Sequence, residues 1–297
     1  MKKVLVDFSQ TAISSVAVFA NELKGGDPKN MIKHIILNQL LGLKRRFGGQ
    51  LIICCDSRSY WRRAEFPSYK GHRKHSKDAG FLDWTMVYEV LGEMKQELSE
   101  FFPYKVLEVA GAEADDIIPV LISYFDENEL VNTGLIEEPA EIVIVSTDGD
   151  YSQLQKYRQV KQWNNVTKKM LVSKNPKQDL IGYICQGQTK DNIPNVCTSD
   201  KWAADRAADI PARASPFKTS RLIDFYNRGY DACLNEDEKR NYRRNELLLD
   251  FDKIPSSVQG DIIRSYHSTE ITSSKKKIYD YLLGKRMKLL IASHSDF

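Results

Sequence analysis

Ile142-Val143-Ile144-Val145-Ser146-Thr147-Asp148-Gly149-Asp150 decides how the rest of the chain is read: a short, uninterrupted apolar run, as in a strand buried on both faces, ends in a pair of carboxylates. The same device recurs upstream. Val4-Leu5-Val6-Asp7-Phe8 carries Asp7, Leu51-Ile52-Ile53-Cys54-Cys55 runs into Asp56, and Val106-Leu107-Glu108-Val109 leads to Glu113-Ala114-Asp115-Asp116. Between the first two strands Met31, Ile32, Ile35, Ile36, Gln39, Leu40 and Leu43 keep a mostly apolar helical spacing, which makes a βαβ unit with an acid at each strand end. Ile117, Ile118, Val120 and Leu121 continue a predicted helix from Asp116. Val160 to Trp163 and Lys168 to Val172 flank Asn164-Asn165-Val166-Thr167, the turn chemistry of a hairpin.

A parallel sheet presents its carboxyl edge to a ligand, so Asp7, Asp56, Glu113, Asp115, Asp116, Asp148 and Asp150 are expected in one cluster. Gathered carboxylates repel one another, and hard divalent cations such as Mg²⁺ or Mn²⁺ relieve that repulsion through oxygen ligands. Two such ions roughly 3.5–4 Å apart activate a water and stabilise the leaving oxygen of a phosphodiester. Any one of these acids alone reads equally well as a helix cap or a solvent-facing group; their joint recurrence at strand ends favours the metal reading. No GxGxxG follows a strand, and neither a GxxxxGK[ST] loop nor a GxSxG elbow is present.

The 297 residues suit a large α/β unit with a smaller lobe. No window approaches the roughly 20 apolar residues of a membrane span, and the start runs directly into a strand without a signal-peptide pattern. Five cysteines without a CxxC pair point to reduced thiols in a cytoplasm, and Cys54 and Cys55 read as packing residues. A net charge of +3 says little, but its distribution says more. From Arg58 to Lys77 seven cations, including Arg62, Arg63, Lys70, Arg73 and Lys74, face the single acid Glu65. They interleave with Tyr60, Trp61, Phe66, Tyr69, His72 and His75, a composition suited to phosphates and unpaired bases. A solvated basic helix whose aromatics pack inward is the plainer reading, and for Trp61 and Phe66 it stands level with the functional one. For the histidines, exposed surface is the plainer assignment.

From about Asp179 the chain turns helical, which places a boundary between an α/β core at 1–178, with a basic segment at 58–80, and a helical lobe at 179–297. Cys197 to Pro216 reads as an extended excursion between two helices. Asn241 to Asp252, Ile262 to Tyr266 and a final helix from Ile278 to Ile291 follow.

Taken in order, Val6-Asp7-Phe8-Ser9, Cys55-Asp56 with Tyr60-Trp61-Arg62-Arg63 and Tyr69-Lys70-Gly71-His72-Arg73, Glu113-Ala114-Asp115-Asp116, Thr147-Asp148-Gly149-Asp150 with Gln153-Leu154, and Asp191-Asn192-Ile193-Pro194 resemble the flap endonuclease and 5′-3′ exonuclease family over nearly the whole chain. The resemblance implies a PIN-like (resolvase-like) α/β nuclease fold with a central, mostly parallel sheet, joined to a lobe carrying a helix-hairpin-helix motif at about 179–230. It implies two Mg²⁺ ions and removal of RNA primers and DNA flaps from 5′ ends in lagging-strand replication. Carried over by position, Asp7, Asp56, Asp115 and Asp148 surround the first metal with Glu113 and Asp116 nearby, and Asp150 and Asp191 hold the second. Arg63 and Lys70 become the transition-state stabilisers. Arg58, Tyr60, Arg62, Tyr69, Arg73 and Lys74 join them on the nucleic acid, with Asn192, Lys218 and Thr219 on the duplex. The implied partners are branched or nicked DNA and RNA–DNA hybrid with a 5′ end, and a single-strand DNA-binding protein at the C-terminal lobe; no membrane is involved and a monomer is expected.

Two departures matter. Gln188 stands where the family carries an aspartate ahead of the Asp191-Asn192-Ile193 turn, which predicts a weakened second metal. The Cys197–Ser215 excursion replaces a short Gly-rich link, with Pro216-Phe217-Lys218-Thr219-Ser220 then starting the second helix of the motif. Gln188 leaves open a structure-specific DNA-binding protein with weak or no catalysis. A single-strand ribonuclease of PIN-like fold is the third alternative.

Overall fold

In chain order the strands are Lys3–Asp7 (β1), Gln50–Cys55 (β2), Lys105–Glu108 (β3), Leu130–Asn132 (β4), Glu137–Pro139 (β5), Ile142–Val145 (β6), Val160–Asn164 (β7) and Lys169–Leu171 (β8). The computed structural model describes residues 1–19, 27–74, 83–128, 130–132 and 137–297, so the end of the predicted basic segment, with His75 and Lys77, lies outside the described residues. The main sheet runs β3-β2-β1-β6-β7-β8; its first five strands are parallel, and β8 closes it antiparallel to β7. β4 and β5 form a separate antiparallel pair.

The apolar runs are continuous because both faces are covered. Val4, Val6, Leu51, Ile53, Val143 and Val145 pack toward helices Phe8–Val18 (α1), Pro28–Phe47 (α2) and, past the short Trp61–Glu65 (α3), Trp84–Phe101 (α4). The alternate residues Leu5, Ile52, Cys54, Ile142 and Ile144 pack toward Ala114–Asn128 (α5). From β1 the chain steps outward through β2 and β3, then returns to the other side of β1 as β6 and β7. The order therefore reverses between β1 and β6, and a crevice opens beyond their carboxyl ends, where Asp7 and Ser146 to Asp148 stand.

Helices Pro176–Gln186 (α6), Asp200–Ala207 (α7), Leu222–Arg228 (α8) and Glu236–Leu249 (α9) follow. Ile181, Ile184, Cys185, Val196, Phe225 and Tyr242 form a small core of their own among them. After α6 the chain turns back at Gly187, whose φ of 63° and approach to Ile193 O (2.5 Å from an ideal Cβ) leave no room for a side chain. Gln188 and Ile193 then exchange both backbone hydrogen bonds, at 2.8 and 2.9 Å.

Four expectations change here. The excursion after Cys197 is not wholly extended: it contains α7, which packs on the 3₁₀ turn Gly71–Lys74, where a Cβ on Gly71 would meet Ala207 Cβ at 2.7 Å. The second helix begins at Leu222 rather than Pro216, behind a 3₁₀ turn at Thr219–Arg221. The C-terminal helices do not extend the lobe. Ser256–Ser268 (α10) packs on α5, and Lys275–Gly284 (α11) with Lys288–Ile291 (α12) returns to the nuclease side, burying Ile278, Tyr281, Leu282, Leu290 and Phe297 against the α2–α4 face. Arg286, at φ 56°, breaks the predicted final helix in two. A helix's apolar face records that it is covered, not what covers it.

Candidate active site

Four of the predicted acids converge beyond the β1–β6 crevice: neutral donors hold Asp7, Asp56 and Asp115, and Asp148 adds the Lys190 ammonium to its backbone donor. Asp7 caps α1 through Gln10 N (3.2 Å to Oδ1), while its Oδ2 accepts from Ser146 Oγ at 3.1 Å. Asp148 caps the 3₁₀ turn after β6, accepting from Asp150 N at 3.1 Å. Asp56 Oδ1 accepts from Ala114 N at 2.9 Å and so ties the end of β2 to the start of α5. Asp115 Oδ1 accepts from the Tyr151 hydroxyl at 2.9 Å, and the same hydroxyl lies 3.5 Å from Asp7 Oδ2. Capping and clustering are therefore not rival readings: one side chain does both.

Burial, and then the nearby carboxylates of Asp115 and Asp56, hold Asp7 well above the usual carboxylate range. Burial also works to raise Asp115, but Lys70, Arg62 and Lys190 outweigh it and hold that carboxyl below the usual range. A group of oxygen donors that cannot all ionise without a cation fits a hard divalent ion. Among the described residues no three of these acids are already drawn together as a finished cage. They lean instead on hydroxyls, amides and ammonium groups.

The second group sits where the lobe meets the sheet. Asp150 is buried and is pushed up to about 7, by burial first and by Asp148 next, with Lys190 opposing. Its Oδ1 accepts from Gln188 Nε2 and its Oδ2 from Lys190 Nζ at 3.0 Å; Lys190 also bonds Asp148 Oδ1. Asp191 Oδ1 accepts from Arg73 Nη2 at 2.7 Å, with Lys70 Nζ 3.7 Å away. Gln188 is 7% exposed, and its Oε1 has no hydrogen-bond partner among the described residues.

Several residues expected to face nucleic acid turn inward. Arg62 is 2% exposed; it bonds Asp116 Oδ1 at 2.7 Å, lies 3.5 Å from Glu113 Oε2 and donates to Leu248 O at 2.8 Å, which pins α3 to the end of α9. Asp116 is fully buried, holding Arg62, Trp61 Nε1 (3.0 Å) and Glu113 N (2.9 Å), so both oxygens are spent on structure rather than on chemistry. Tyr69 is buried, edge-on to Tyr60. Asn192 has no exposure: it takes the left-handed conformation (φ 61°), and its Nδ2 donates to Ser68 O and Ala203 O, at 2.9 and 2.8 Å. A basic, aromatic composition cannot separate side chains that brace a segment from those it presents.

Lys70 stays in the site. Its Nζ donates to Glu113 Oε1 at 2.7 Å; burial works against its charge, and the Tyr69, Asp191 and Glu113 oxygens outweigh burial and raise it. Tyr60 is half-buried, with Arg63 over its ring at 4.8 Å. Arg58, Arg63 and Arg73 are exposed, and so are Lys218 and Thr219 at the entrance to α8. Residue composition gave no warning of Tyr151 and Ser146. Lys190, between Gln188 and Asp191, was visible as a cation inside an acidic turn.

A mostly parallel sheet with acids at its switch point, a basic segment beside them and a helical lobe beyond defines a resolvase-like nuclease of the PIN type. Residues 3–182 match the model of the 5′-3′ exonuclease N-terminal resolvase-like domain, and residues 174–297 match that of the T4 RNase H C-terminal domain. The chain is 32% identical to Ribonuclease H of Enterobacteria phage T4, across 99% of this chain and 95% of that protein. Bacteriophage T5 5′-exonuclease with zinc bound shares the fold with a TM-score of 0.60 at 16% identity, covering 91% of this chain and 100% of its own. The T5 flap endonuclease, in a pseudo-enzyme–product complex with DNA and metal ions, gives 0.58 at 16% identity, with 90% and 100% covered. The chain belongs to the 5′-3′ exonuclease family and is a structure-specific 5′ nuclease.

Proposed function

We propose that this nuclease hydrolyses phosphodiesters near 5′ ends of RNA–DNA hybrids, nicked duplexes and 5′ flaps, using Mg²⁺, and so removes RNA primers and DNA flaps in lagging-strand replication. The observation that carries the proposal is the meeting of Asp7, Asp56, Asp115 and Asp148 at one sheet edge beside Lys70. The T5 relative held with DNA and metal ions supports a branched-DNA substrate and a metal cofactor.

Asp7, Asp56, Asp115 and Asp148 would hold the first ion, and Asp150 and Asp191 the second. Bound there, divalent ions supply an activated water and charge stabilisation for the leaving oxygen. Asp7 and Asp148 are fixed by their caps, so their carboxylates keep their place as charge changes. Lys70, held buried beside Glu113, keeps a positive charge where charge builds on the phosphoryl oxygens, and exposed Arg63 and Arg58 offer the incoming strand salt-dependent contacts. Arg73 and Tyr60 extend this strand-facing side, while Lys218 and Thr219 offer a sequence-independent phosphate contact on the duplex. A single-strand DNA-binding protein would meet the C-terminal helices, where Leu283 and Leu289 stand exposed.

Labelled 5′ hybrid, nicked duplex, flap and single-stranded RNA, each with Mg²⁺ or EDTA, test this reading. Short 5′ products from hybrid and flap, abolished by EDTA, are expected. Binding without products would instead favour a DNA-binding role, and cleavage confined to single-stranded RNA a ribonuclease.

A further inference from the structure

The donors around Asp150 account for both of its oxygens without any ion. Gln188 Nε2 takes one and Lys190 Nζ the other, at 3.0 Å, and the same ammonium bonds Asp148. Lys190 reaches this place from the surface, its side chain 44% exposed, so a short swing returns its charge to solvent. Asp191 is likewise answered, by Arg73 at 2.7 Å. Around these three carboxylates the internal cations already balance most of the negative charge, because Gln188 adds none.

We propose that Lys190 is a resident counter-ion of the second cation position, so that a second divalent ion enters only as the Lys190 ammonium leaves, drawn outward by a substrate phosphate. The inference rests on the metal reading of the acid cluster. Two observations point to it independently. The ammonium occupies Asp150, an acid of the second position, and reaches across to Asp148; and Gln188 Oε1, nine-tenths buried and unpartnered among the described residues, has nothing to bond while its amide NH₂ faces Asp150. With an ion in place of the ammonium, rotation of that amide would turn Oε1 toward it as a neutral oxygen ligand. A lysine suits the exchange because its charge rides on a long flexible stem and a phosphate satisfies it equally well. Loading of the second ion would thereby follow substrate binding.

Mn²⁺ binding to the whole protein without nucleic acid, followed by calorimetry and electron paramagnetic resonance, tests this for the wild type, Lys190→Met and Gln188→Asp. The wild type should bind one ion well and a second weakly. Lys190→Met should tighten the second ion by about tenfold or more, since removing a unit charge a few ångströms away is worth well over the roughly 1.4 kcal/mol of a tenfold change. The first ion should change less, since of Asp7, Asp56, Asp115 and Asp148 only Asp148 bonds Lys190. Gln188→Asp should tighten the second ion as well. Unchanged or weaker second-ion binding in Lys190→Met, with the first ion retained, would overturn the role of Lys190 alone. Absence of any Mn²⁺ binding by the wild type would overturn the metal reading itself. Trace acetylation of wild-type Lys190, read by mass spectrometry, needs no variant: labelling should rise on saturating Mn²⁺ without nucleic acid, as the second ion displaces the ammonium to solvent, and unchanged labelling counts against the proposal.

Discussion

The two halves of the acid cluster are built from the same residue type by different means. Asp7, Asp56, Asp115 and Asp148 hang from parallel strand ends and the N-terminus of α5; backbone amides, Ser146 and Tyr151 position them, and of the four only Asp148 also meets the Lys190 ammonium. Asp150 and Asp191 sit where the lobe's turn meets the sheet, and ammonium and guanidinium groups position them, with Gln188 filling the remaining direction. A carboxylate held by neutral donors keeps its charge available to an incoming cation; one held by a lysine must exchange partners first. Asp7, Asp56 and Asp115 are thus poised, while Asp148, which shares Lys190 with Asp150, and the second half are conditional.

Breaking the first half should have the largest effect. Asp115→Asn should cut turnover by at least about 10²–10³-fold, as when one preorganised transition-state group is lost, with substrate affinity in Ca²⁺ nearly unchanged. A drop of less than tenfold would move the chemistry elsewhere. Next is the brace between the halves. Arg62→Ala leaves Asp116 buried without its cation and removes the bond to Leu248 O, and should destabilise the fold by about 3–5 kcal/mol in urea denaturation. A loss near zero would mean Arg62 is dispensable and faces substrate after all.

The second half has a pH signature of its own. The folded protein holds the Asp150 proton up to about 7, whereas the unfolded chain releases it near pH ~3.9. In EDTA this contribution to stability is therefore fully present below about pH 4 and is lost as pH rises through about 7. Thermal melting of Asp150→Asn should show a flatter pH dependence than the wild type; equal slopes would place the proton on another group, with Asp7 the first alternative. The smallest effect is expected at the lobe surface. Lys218→Ala should weaken duplex binding equally for all sequences and lower the salt slope by about one, with hydrolysis rates at saturating substrate unaltered.

Strand ends and their acids were legible because a doubly covered parallel strand must be apolar throughout, and a carboxylate after it has only the sheet edge to occupy. The inward turn of Arg62, Tyr69 and Asn192 was not. Each belongs to a segment whose composition suits phosphate, yet Arg62 and Asn192 satisfy groups from distant parts of the chain, Leu248, Asp116, Ser68 and Ala203, and Tyr69 packs in one apolar cluster with Ile193 and Leu248. The C-terminal helices were legible as helices while their partner was not, since Leu282 and Phe297 would be equally content under any apolar face.

Taken alone, the order of residues determined that carboxylates would gather beyond a parallel sheet, because strand periodicity and the return of the chain across β1 follow from local pattern. Only the tertiary structure decided which charges those carboxylates meet: Lys190 between Asp148 and Asp150, Arg62 sealed against Asp116, Lys70 beside Glu113. Electrostatic energies inside a protein depend on separations of a few ångströms and on burial, and neither is written in the spacing of letters.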